Sequence, residues 1–185
     1  MSRISPKPIS EYPWPLRLLY RRQIRKWGHP VIPTQIWGRQ PGLLWRFLTF
    51  FRTLERKRSP IPPMLRALIT VKVSQINHCA FCVDFNAMRV LQHEGAETKL
   101  DGLAEPESCA AFSPAEKAAL AYAEAVTRSD VEVDDALFGR LRAHYDDDVI
   151  VEMTALIAFQ NLSSKFNAAL DLPSQGFCKI DVSQE

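Results

Sequence analysis

No uncharged apolar stretch of this 185-residue chain is long enough to span a bilayer, and its start, Met-Ser-Arg-Ile-Ser-Pro-Lys-Pro, holds no continuous apolar signal segment. A soluble cytoplasmic protein is the expectation. Cysteine is scarce, and four over such a length do not make a secreted disulfide framework. There is one Cys-x-x-Cys and no second, and no pair of histidines lies near it at zinc-finger spacing. A Gly-rich phosphate loop, a G-x-S-x-G elbow, an internal repeat and regular strand alternation are all missing. These absences remove nucleotide-binding, serine-hydrolase and repeat architectures. What is left is a single domain, because 46% apolar content can bury a substantial core, and an all-α bundle.

A net charge of +2 conceals an asymmetry. Residues 1–58 carry thirteen Lys or Arg against two acids, Glu11 and Glu55, whereas residues 59–185 carry ten against nineteen. Residues 1–40 read as a basic, Pro- and Trp-rich arm. An anionic partner could meet Tyr12, Trp14, Trp27 and Trp37 among Arg17, Arg21, Arg22, Arg25 and Lys26. The favoured reading is instead that the arm packs on an acidic body, its own or a neighbouring subunit's. Its tryptophans are spread among prolines rather than gathered on one amphipathic face, so neither nucleic acid nor a membrane is the expected partner.

Beyond the arm nearly every segment has helical spacing. Residues 42–57 bring Leu43, Leu44, Trp45, Phe47, Leu48, Phe50, Phe51 and Leu54, too wide an apolar surface for a helix with one exposed side. Such a surface predicts a homo-oligomer. A second helix is expected over 64–75. A third, carrying the cysteines, is expected to stop near Gly95, with Phe81, Phe85 and Met88 facing the core and Cys79, Cys82, Asn86 and Arg89 opposite. Ser113-Pro114-Ala115-Glu116 is a capping box with proline at the first helical position. Asp134 can cap the next helix. Asp146, Asp147 and Asp148 place negative charge at the start of a long segment over 147–170, which explains them without a metal.

The chemistry-bearing stretch is Ile76-Asn77-His78-Cys79-Ala80-Phe81-Cys82. Residues i and i+3 share a helix face, so Cys79 and Cys82 could close a small disulfide or present two thiols together. Asn77 is a capping residue type, and a helix starting there would turn its unpaired N–H groups and positive dipole end toward the thiols, favouring thiolate. Zinc is weaker, since it would need distant ligands such as His78, His93, Cys109 or Cys178. Two inert cysteines filling a helix interface remain a further alternative.

The run from Val71 to Asp84 resembles the core of the carboxymuconolactone decarboxylase family, specifically its alkylhydroperoxidase D-like branch. The similarity extends upstream to Pro41-Gly42-Leu43-Leu44 and downstream to the helices at Glu116–Thr127 and Asp148–Asn161. It therefore covers roughly residues 40–172, leaving a tail at 173–185. The resemblance implies an all-α alkylhydroperoxidase D-like bundle that assembles into oligomers, with no cofactor and no metal. It implies a dithiol that reduces a peroxide or disulfide substrate, with electrons from an unidentified thiol donor. In that chemistry the second cysteine, Cys82, attacks the peroxide and becomes a sulfenic acid, and the first, Cys79, resolves it to a disulfide. The family's proton relay uses a glutamate and a histidine at positions held here by Ala67 and Asn86. His78 is the substitute that the sequence offers, with His93 and His144 behind it. A non-catalytic oligomeric scaffold and a lactone decarboxylase are the competing expectations.

Overall fold

The computed structural model describes residues 2–178. Among them the chain is all-α, as expected, with no strand. A short 3-10 turn, Ile9–Glu11, leads into α1 (Trp14–Trp27), α2 (Ile32–Gly38), α3 (Pro41–Leu54), α4 (Pro63–Ile76) and α5 (Ala80–Val90). Then follow α6 (Ala96–Asp101), α7 (Pro114–Thr127), α8 (Asp135–Arg142) and α9 (Asp147–Ala169).

Proline starts helices here more often than it breaks them. Pro15, Pro33, Pro41, Pro63 and Pro114 all sit at the first or second helical position, where a missing N–H costs nothing and the fixed φ is already helical. The Pro-rich N-terminal segment therefore includes two helices, α1 and α2. α1 buries Leu16 and Tyr20, which with Tyr12 and Leu44 form a separate small core. Arg17, Arg21, Arg22, Arg25 and Lys26 stay exposed on its outer side, and no ion pair joins any of them to an acid among the described residues. Within the described residues α1 is held by apolar burial of one face rather than by ion pairs.

Gly38 is where this packing is tightest. A Cβ there would meet the Tyr20 hydroxyl, which donates to Thr34 O at 3.1 Å, and would press on Leu16 Cδ1 at 3.3 Å. Gly38→Ala is expected to destabilise the fold by about 1–3 kcal/mol through overpacking. An unchanged urea midpoint would show that α1 can shift to make room.

α4 is the central helix. Every residue from Leu65 to Ser74 is buried, because α5, α7 and α9 surround it. The polar members of that run are all paired. Lys72 Nζ meets Ala104 O at 3.2 Å and Glu124 Oε2 at 3.1 Å, and Arg66 donates to Ile61 O at 2.7 Å. Ser74 Oγ accepts from Gln160 Nε2 on α9 at 2.8 Å. The capping box of α7 and the caps by Asp134 and Asp146 form as expected.

Three expectations about the cysteine helix need correction. It starts at Ala80 with Cys79 as its cap, not at Asn77, which instead ends α4. Its contribution to the main core comes from Ala87 and Val90, whereas Phe81 and Phe85 lie with Cys79 and Cys82 in a separate apolar cluster. The helix also ends at Val90, and a short α6 capped by Gly95 follows. Residues 179–185 of the expected tail lie outside the described residues.

Candidate functional site

The α4–α5 turn is two residues long before its cap, and it is pinned on both sides. His78 adopts φ +52°, the left-handed conformation that lets the chain reverse so quickly. The Asn77 carboxamide reaches across to α9, donating to Asn161 Oδ1 at 2.8 Å and Ser164 Oγ at 2.9 Å. Cys79 N closes the turn on Ser74 O at 3.0 Å.

This brings Cys79 and Cys82 together in a disulfide, with Cα atoms 5.3 Å apart. Cys109 and Cys178 lie outside that bond, as expected. Each bridged sulfur accepts one hydrogen bond. Cys79 Sγ receives the backbone N–H of Cys82 at 3.2 Å, and Cys82 Sγ receives Asn167 Nδ2 of α9, also at 3.2 Å.

A cavity of about 210 Å³ opens beside the bridge. Cys82 lines it, while Cys79 is buried behind. Its walls come from α1 (Gln23, Trp27), the α1–α2 loop (Val31), α2 (Pro33, Thr34, Trp37), α3 (Phe47, Leu48, Phe51), α5 (Phe81, Phe85, Asn86) and α9 (Phe159, Gln160, Ser163, Asn167). The aromatic wall is continuous, with Trp37 stacked on Phe47 at 4.8 Å and Phe47 against Phe159 at 4.7 Å. None of the described lining residues carries a formal charge, so among them the only group that can ionise in the ordinary pH range is the Cys82 thiol, once the bridge is reduced.

The residues singled out in the sequence separate here. Asn86 lines the cavity one turn after Cys82. Ala67 does not, being buried in the main core. His78 is exposed on the turn and is not a cavity residue, and neither His93 nor His144 lines it. No group of three or more His, Cys, Asp or Glu side chains that could hold a metal occurs among the described residues.

Three neighbours of the site are not singled out by the sequence. Glu55, at the end of α3, meets Arg89 at 2.5 Å and Arg66 at 3.4 Å, and Arg89 in turn donates to Asn86 Oδ1 at 3.1 Å. Asp84 is buried and accepts from Ser174 Oγ at 2.9 Å, Gln175 N at 2.8 Å and Cys178 N at 2.6 Å. That strap lays Phe177 edge-on against Trp27, Phe81 and Phe85, covering the cysteine helix. The third is Asn167. A signal for it was present, since Gln160, Ser163, Ser164 and Asn167 form a polar stripe at helical spacing.

The carboxymuconolactone decarboxylase family model matches residues 41–125. The uncharacterized protein YnjA of Escherichia coli K12 is 42% identical over 173 residues, spanning 94% of this chain and 95% of its own. Among solved structures, an uncharacterized peroxidase-related protein from Ralstonia eutropha JMP134 with an alkylhydroperoxidase AhpD core superposes with a TM-score of 0.82. It is 22% identical, covering 95% of this chain and 94% of that one. A cysteine-to-alanine variant of the debrominase Bmp8 in complex with 2,3,4-tribromopyrrole gives a TM-score of 0.82 at 23% identity, over 96% of this chain and 95% of that one. At those identities the structural likeness speaks for the fold.

Proposed function

The chain belongs to the carboxymuconolactone decarboxylase family, and from that premise we propose that it is a dithiol oxidoreductase that reduces an organic hydroperoxide at Cys82. The observation that carries this reading is that Cys82 alone of the bridged pair lines the cavity, with Cys79 within bonding reach behind it. The sulfur that faces the cavity attacks and its partner resolves. An apolar, aromatic wall suits a substrate with a hydrocarbon body better than hydrogen peroxide, whose two hydroxyls would lose water without replacement.

The balance is simple. The Cys82 thiolate takes the terminal oxygen of R–O–OH, the O–O bond breaks, and the alkoxide leaves as an alcohol after gaining a proton. Cys79 then attacks the sulfenic sulfur, expelling hydroxide that becomes water. Both protons come from the two thiols, and a donor thiol later reduces the bridge. Among the described residues the cavity wall offers no carboxylate or imidazole to move those protons. Positioned acid–base groups typically contribute about 10²- to 10⁴-fold, so turnover is expected to be slow.

The test uses protein reduced and desalted under argon, mixed with one equivalent of cumene hydroperoxide. Two thiols per chain should disappear, one 2-phenyl-2-propanol should form, and mass spectrometry should find Cys79 joined to Cys82. Retained thiols and unreacted peroxide would defeat the proposal.

The charge-free aromatic cavity also favours a second reading, reductive dehalogenation, in view of the debrominase among the structural neighbours. Here the thiolate would take bromine from a bromoarene, the ring carbon would gain a proton, and Cys79 would displace bromide to close the same disulfide. Bromide release from 2,3,4-tribromopyrrole, with no alcohol from cumene hydroperoxide, would select it.

We also propose a homo-oligomer. α3 buries Leu44 and Leu54 yet leaves Leu43, Trp45 and Phe50 at 55%, 37% and 45% exposure, an apolar surface that a second subunit would cover. Light scattering should give a multiple of the 21.0 kDa chain mass at micromolar concentration. A monomer would contradict it.

A further inference from the structure

We propose that Asn167 is a positioning residue that holds Cys82 as its thiolate in the reduced protein. For its part in catalysis this rests on Cys82 being the attacking thiol, but the ionisation itself stands without any substrate.

Asn167 is 2% exposed, and its side chain makes one hydrogen bond among the described residues, from Nδ2 to Cys82 Sγ at 3.2 Å. Its Oδ1 is buried with no partner among them. Burying a carboxamide so incompletely paired is unfavourable, and an N–H bond to a bridged sulfur, a weak neutral acceptor, returns little. The same N–H directed at a thiolate becomes a charge-assisted bond, roughly twice as strong. The amide is thus better matched to the reduced, ionised sulfur than to the disulfide. Opening the bridge supplies that acceptor.

Among the described residues no other donor hydrogen-bonds Cys82 Sγ. The backbone N–H at the start of α5 goes to Cys79 Sγ, so the helix terminus serves the first cysteine and Asn167 serves the second. Charged groups on the surrounding elements are committed elsewhere. On α5, Asp84 holds the strap and Arg89 pairs with Glu55. On α4, Arg66 and Lys72 bind Ile61 O and Glu124. His29 contacts Gln175, while His78, Lys165 and Asp171 are exposed, and none of these lines the cavity. With no cation beside Cys82 among the described residues, a neutral donor is what can favour its charged form.

The test measures the pH dependence of Cys82 alkylation by iodoacetamide, resolved by mass spectrometry, in a Cys79→Ser background so that one thiol titrates at the site. In that background the midpoint should lie below the ordinary thiol value of about 8.5. Asn167→Ala should raise it by about one unit or more, leaving roughly ten-fold less thiolate below the midpoint. Asn167→Asp keeps the shape but replaces the donor with a carboxylate, and should raise it further. A parent midpoint at or above the ordinary value overturns the inference with no variant needed. So does an unchanged midpoint in either variant that retains its helical circular dichroism. Because no peroxide enters the measurement, failure here is distinct from failure of the hydroperoxide reading, which the alcohol assay alone decides.

Discussion

Cys82→Ser is expected to lower peroxide-dependent thiol oxidation by at least about 10³-fold, whereas Cys79→Ser should complete one turnover per chain and then stop. The asymmetry follows from which sulfur meets the cavity. Cys82 lines it, and serine there replaces a thiol with a far less acidic hydroxyl, with no base among the described lining residues to activate it. Cys79 is buried behind its partner, so its loss spares the first step and removes the second. The Cys79→Ser protein should therefore accumulate a sulfenic acid on Cys82, trapped by dimedone as a single adduct. An adduct on Cys79 in the Cys82→Ser protein would reverse the two roles. Equal residual turnover in both variants would place the chemistry elsewhere on the chain.

Much of the helical layout was legible because its punctuation is local. Pro41, Pro63 and Ser113-Pro114 each mark a start within a residue, since a fixed φ and a side-chain cap act over a single turn. The cysteine helix was misplaced because Asn77 fits two roles. As a capping residue it should start α5, but its carboxamide is spent on Asn161 and Ser164, more than eighty residues away. The left-handed His78 then makes the reversal, which composition does not announce. Phe81 and Phe85 misled for a similar reason. Their spacing correctly gives an apolar helix face, but α1 and the strap through Phe177 cover that face, not the main core. The pairing of Cys79 with Cys82 was readable, being local. The partner of each sulfur was not, because Asn167 arrives from α9 through tertiary packing.

Asn86→His is expected to raise peroxide turnover by itself, toward the ~10²-fold at the lower end of positioned acid–base catalysis, and Ala67→Glu is expected to cost stability instead. The two positions are equivalent in the sequence comparison but not in space. Asn86 lines the cavity one turn beyond Cys82, so an imidazole there could take the thiol proton and return it to the departing alkoxide. It would act as a base in its neutral form, so the gain should appear as pH rises through about 6.5 and fade below it. Ala67 is 1% exposed among Leu65, Leu68 and Ile69 in the main core and is absent from the cavity wall. A glutamate there is an uncompensated buried charge, worth about 3–5 kcal/mol of destabilisation where no partner is found. The double variant should then show a lowered denaturation midpoint and no more activity than Asn86→His alone. Calorimetry and the cumene hydroperoxide assay on the four proteins separate the two effects. Should Asn86→His fold, keep its disulfide and turn over no faster than the parent, proton transfer is not what limits this site. The reading of the chain as a non-catalytic member that retains the fold and its bridge would then take precedence.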